Sequence, residues 1–105
     1  MPPRPRFRLL FAPEAIEHLD AIERKYYRLL QRTIQEQLSY TPDEETRNRK
    51  PLEHPAPYGA TWELRCGPRN GYRIFYRVNP EDQTVRVLAI GRKEGNRLFI
   101  GGEEL

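Results

Sequence analysis

Cysteine and histidine are scarce in this chain, and their scarcity excludes several kinds of chemistry. The single Cys66 rules out an internal disulfide and fits a reducing compartment. The two histidines, His18 and His54, are not spaced with each other or with Cys66 as metal ligands would be, so no metal and no cofactor is expected. No apolar run reaches the roughly 20 residues of a membrane span, and no cleavable signal pattern opens the sequence. No membrane is therefore expected as a partner, and the cytoplasm is the default location. The glycines of the stretches 67–71 and 95–102 precede no helix, so neither stretch reads as a phosphate-binding loop. Repeats and low-complexity segments are absent. Apolar residues are only 37% of 105, which allows a single domain over residues 1–105 with one modest core.

What is present is charge, unevenly placed. Residues 47–97 hold eleven basic and five acidic side chains, while the rest of the chain holds seven basic and ten acidic. A basic C-terminal half suits a polyanion or an acidic protein segment. Within it, Trp62 to Ile100 reads as three alternating runs separated by Gly67-Pro68-Arg69-Asn70-Gly71 and Asn79-Pro80-Glu81-Asp82. Such punctuation marks consecutive antiparallel strands joined by short hairpins. Tyr72, Ile74, Tyr76 and Val78 alternate with Arg73, Phe75 and Arg77, so a pleat of period two sends the first set inward with Trp62, Leu64 and Cys66. Arg65, Arg73 and Arg77 then share the opposite face with Phe75.

Upstream, Arg8-Leu9-Leu10-Phe11 reads as a short strand. Pro13 suits the first turn of a helix, and Glu14 and Glu17 complement its dipole. Ile16, Leu19 and Ile22, then Tyr26, Leu30, Ile34 and Leu38, recur at helical spacing until Thr41-Pro42 stops them. Periodicity alone leaves one long helix or two open, with Glu23-Arg24-Lys25 as the only sign of a break. Asp43 to Lys50 reads as a solvated helical extension or loop. The proline-rich Pro51 to Pro57 reads as irregular, and Glu103-Glu104-Leu105 as a frayed end.

The pattern from Leu64-Arg65 through Gly71-Tyr72-Arg73-Ile74 and Tyr76-Arg77, followed by Val87-Leu88-Ala89-Ile90-Gly91-Arg92-Lys93, resembles the RelE/ParE superfamily of bacterial toxins. The resemblance implies an α+β domain: an antiparallel sheet of about four strands with an N-terminal helical hairpin on one face. It also implies the toxin of a type II toxin–antitoxin pair with a cognate antitoxin as partner. The antitoxin would lay a helix or strand over the arginine face or the hairpin. The expected activity is that of the ribonuclease branch, in which a basic sheet face holds messenger RNA on the ribosome and cleaves it without a metal, with two alternatives beside it. In the ParE branch, DNA gyrase is poisoned by binding alone. A degenerate, non-toxic binding module is a third possibility.

On the ribonuclease reading, Arg73 contacts the reacting phosphate, with Arg65 and Arg92 completing the catalytic set. Arg77, Lys93 and Arg97 bind the nucleic-acid backbone, and Phe75 stacks on a base or receives an antitoxin side chain. Each of these cations would otherwise be an ordinary solvated surface arginine or lysine. Two departures weigh against that branch. Thr61 and Glu63 stand where its best-known ribonuclease has lysines, and Phe99 stands in place of a tyrosine. His54 is a candidate general base, with loop packing as the plainer alternative.

Overall fold

The structure, a computed structural model, describes residues 5–53 and 56–105. Strands form where the sequence alternates. β3 (Trp62–Cys66), β4 (Tyr72–Asn79) and β5 (Thr84–Glu94) make an antiparallel meander. Leu64, Cys66, Tyr72, Ile74 and Tyr76 are buried together on one face, as the alternation requires. The register slips once: Phe75 faces Ala89 while Tyr76 faces Val87, leaving Leu88 as the extra residue. This bulge resets the pleat of β5, so that Val85, Val87 and Ile90 all reach the same core.

β5 is the central strand. One edge pairs with β4 over its full length. The other edge is shared: β1 (Arg8–Phe11) runs parallel to its first half, and β6 (Arg97–Ile100) runs antiparallel to its second half. Short edge strands β2 (Arg49–Pro51) and β7 (Glu103–Glu104) lie on β3 and β6. Among the described residues the sheet thus has seven strands, with the order β2-β3-β4-β5-β6-β7 and β1 beside β5, rather than about four. The additional strands carry too few residues to show alternation, and neighbouring backbone specifies them. The C-terminal end is not frayed, since Glu104 faces Phe99 and the Leu105 amide donates to the Leu98 carbonyl at 2.9 Å.

Two helices cover the core face. α1 (Pro13–His18) begins on proline, and α2 (Tyr27–Leu38) buries Leu30, Ile34 and Leu38. Each such side chain removed from water contributes roughly 1.5–3 kcal/mol. Between them lie two 3₁₀ turns, Leu19–Ala21 and Arg24–Tyr26, with Ile22 extended at φ −114°, ψ 139°. The chain turns there without glycine or proline because Ile22 is itself buried and the Tyr27 hydroxyl donates to the Leu19 carbonyl at 2.5 Å. The helical-hairpin alternative is the one adopted.

Residues 43–50 are less solvated than their charge implies. Arg49 is buried, donating to the Gln37 carbonyl and side chain and, at 3.2 Å, to the Glu44 carbonyl. Nearby, the Tyr76 hydroxyl donates to the Pro42 carbonyl at 2.7 Å, and burial raises its pKa.

The second face of the sheet is not open either. Ala60, Phe75, Ala89 and Ile100 form a smaller buried cluster, with Leu52, Ala56, Leu88 and Leu98 packed around it. The segment leading into β3 folds over the middle of the sheet and covers it. Phe75, expected to be available to a base or an antitoxin, is 3% exposed and serves as the centre of this cluster.

Candidate functional site

The β3–β4 turn positions the arginine expected to matter most. Gly67 has φ +78°, and a Cβ there would lie 2.4 Å from Tyr72 Cδ2, so only glycine fits. Arg69 and Asn70 follow with φ of 55° and 53°. This tight turn brings the Asn70 carbonyl onto an Arg73 Nη1 donor, and the Tyr72 carbonyl accepts from the same nitrogen at 3.3 Å. The Arg73 Nε donates to Glu63 Oε1 at 3.1 Å. Arg65, directly opposite Arg73 in the register, reaches the other Glu63 oxygen at 3.3 Å. One carboxylate therefore bridges two facing guanidinium groups. Arg73 is 8% exposed, and burial lowers its pKa while Glu63 opposes that shift.

Arg65 and Arg73 come together, with Lys93 lining the same cleft as Arg73, but the other expected arginines do not join them. Arg73 and Arg77 share a face, but four residues of strand, roughly 13 Å, separate them. The Phe75 cluster lies between. Arg77 is exposed, and its Nη1 donates to the Gly59 carbonyl at 2.9 Å. Arg92 pairs with Tyr72 in the register and so lies on the helix side of the sheet, away from Arg73. It forms an ion pair with Glu94 and sits 5.5 Å from the Phe99 ring centre. Arg97 lies 3.6 Å from Glu104 at the far edge. Thr61 is exposed just before β3. His54 lies outside the described residues.

Among the described residues, open clefts at the two ends of this face carry cations. One, of about 460 Å³, lies beside the β3–β4 turn and is lined by Arg69, Arg73 and Lys93. The other, of about 840 Å³, lies at the opposite end of the same face and is lined by Arg8, Arg77 and Arg86, with Glu81 and Asp82 at its edge. Arg8, Arg69 and Arg86 were not singled out by sequence. Arg86 alternates with Val85 and Val87, so its outward direction was readable. That Arg8 lies nearby depends on the parallel pairing of β1 with β5. Among the described residues no group of His, Cys, Asp and Glu could hold a metal. Cys66 is buried, which raises its thiol pKa to about 11 and removes it as a nucleophile.

A helix pair packed on one face of a small mixed sheet makes an α+β fold. Among solved structures, a chain of the toxin–antitoxin complex RelBE2 from Mycobacterium tuberculosis is similar, with a TM-score of 0.67 and 24% identity. The match covers 85% of this chain and 93% of that one. The sequence profile of the ParE toxins of type II toxin–antitoxin systems (parDE) matches residues 9–97, and the chain belongs to that family. No protein of curated function matches it significantly. Among the described residues, no helix is long and apolar enough to cross a membrane.

Proposed function

We propose that this toxin acts by binding a protein target, which the ParE resemblance implies is DNA gyrase, and that it does not cut messenger RNA. The observation that carries this reading is Glu63 between Arg65 and Arg73. In-line cleavage of RNA needs free cations around a phosphorane and groups to move two protons. Here the central guanidinium is buried and already paired with a carboxylate. The tail position that would bear a hydroxyl is Phe99, packed beneath Arg92. A binding toxin needs none of that machinery.

Induced expression distinguishes the readings. The expected result is an SOS-type DNA-damage response, with purified protein inhibiting supercoiling by gyrase. Collapse of protein synthesis before any DNA damage, with cuts in ribosome-bound message, would overturn it. The Arg69–Arg73–Lys93 cleft is the feature that favours that second reading. An antitoxin is the expected partner in either case, and co-expression of a small neighbouring gene should relieve the growth arrest.

A further inference from the structure

Among the described residues, β1, β2 and β7 each have an edge with no strand beside it. An open edge is a template for another strand, and proteins blunt such edges with charge, proline or a turn. β2 is blunted. The Arg49 amide donates to the Thr46 hydroxyl at 3.1 Å, the Arg49 carbonyl accepts from the Thr46 amide at 2.9 Å, and Pro51 has no amide hydrogen. β7 consists of two glutamates. β1 has no such protection over Leu9, Leu10 and Phe11. Its Arg8 and Ala12 amides donate to the Gln83 and Val87 carbonyls, so alternation turns the backbone groups of Leu9 and Phe11 outward. No turn, loop or helix among the described residues hydrogen-bonds to them. The open run is bounded at one end, where the Phe7 amide donates to the Ser39 carbonyl at 2.7 Å, and at the other by Pro13, where α1 begins.

We infer that this edge binds the same edge of a second copy of the chain, making a two-fold dimer with one continuous sheet. An open run of three residues centred on Leu10 pairs antiparallel with itself about Leu10. Leu9 of each copy then exchanges two hydrogen bonds with Phe11 of the other. The side chains suit this occupant. Leu9 and Phe11 point to the helix side, where Phe11 is 40% exposed and borders an apolar groove with Ile16, itself 55% exposed. Leu10, half-buried on the other face, meets Leu10 of the second copy. Arg8 falls opposite Ala12, so no like charges are opposed. Arg6 and Glu14, both exposed and in no ion pair among the described residues, are brought toward each other across the two-fold axis. Such a contact uses one patch on both copies and closes on itself, so assembly stops at two. The inference does not depend on which cellular target the toxin has.

Two measurements on the purified full chain, made without any antitoxin, test this. Sedimentation equilibrium should show a monomer–dimer equilibrium. Phe11→Glu should weaken it at least tenfold, while Arg28→Glu on the exposed side of α2 should leave it unchanged. In the second measurement, mild oxidation of Leu10→Cys should give a covalent dimer. The two residues of a non-hydrogen-bonded pair have Cα atoms about 4.5 Å apart, within disulfide reach. Arg28→Cys treated in the same way should stay uncrosslinked, and so should the wild type, whose Cys66 is buried. Circular dichroism confirms that each variant is folded, and if Phe11→Glu fails to fold, the cysteine comparison decides by itself. A monomer at every concentration would overturn the assignment and leave the edge to a strand of another protein. Assembly beyond two copies, or equal cross-linking of Leu10→Cys and Arg28→Cys, would overturn it as well.

Discussion

His18 Nδ1 accepts the amide proton of Ile90 at 3.2 Å, filling the stretch of β5's outer edge where β1 has ended and β6 has not begun. A buried strand amide needs a partner, and here a side chain 72 residues away takes the place of a strand. The ring also lies edge-on to Tyr58, with centroids 5.1 Å apart. Accepting at Nδ1 places the proton of the neutral imidazole on Nε2.

His18→Ala should therefore destabilise the fold by about 1–3 kcal/mol, since the Ile90 amide loses its acceptor. Urea denaturation at pH 8 checks this. The pH dependence has a defined sign. Burial lowers the His18 pKa in the folded state, against partial opposition from Glu17 and Glu14. The unfolded chain therefore binds the proton more readily. The stabilisation is complete above the unfolded pKa of about 6.5 and is lost as pH falls toward the folded value. The wild type should lose more stability than His18→Ala between pH 7 and pH 5. Parallel curves for the two proteins would refute the assignment.

Glu63→Ala should cost about 3 kcal/mol, because it leaves the Arg73 guanidinium buried without its carboxylate. Combining it with Arg73→Ala should cost clearly less than the sum of the two single changes. A double-mutant cycle in denaturant reads this directly. Additive losses would mean that the pair is not coupled.

Phe75→Ala should cost about 3–5 kcal/mol, the usual price of emptying a large aromatic site. Phe75→Leu should cost much less and leave growth arrest on induction unchanged. If Phe75→Leu were fully stable yet inactive, the residue would be a contact for a partner and not a packing centre.

Cys66 should react slowly with a thiol reagent in the native protein and at an ordinary rate in denaturant. Its thiol is buried, and its pKa is raised by burial to about 11, which Arg73 only partly offsets. Fast native labelling at pH 8 would contradict the buried placement.

Much of the helix-side core was legible in the linear sequence, because alternation in β3 and β4 and helical spacing in α2 are local properties. Trp62, Tyr72 and Tyr76 could be assigned inward on that basis, and Trp62 indeed stacks on the buried Tyr76 at 6.1 Å. Parity also placed Arg65, Arg73 and Arg77 on one face. Parity gives no information about what covers that face. The loop that buries Phe75 has no periodicity, and Arg49 is buried by contacts with residues outside its own strand.

The sequence by itself determined the direction of each side chain along its strand or helix, because backbone geometry repeats every two or 3.6 residues. It also determined the family, through motifs contiguous in the chain. Only the tertiary structure decided which cations are free. Whether a guanidinium is neutralised depends on a carboxylate from a neighbouring residue, strand or turn arriving within a few ångströms. Pleat and register bring Glu63 onto Arg73, whereas the parallel placement of β1 adds Arg8 to Arg77 and Arg86, which form no salt bridge among the described residues although Glu81 and Asp82 line the same cleft.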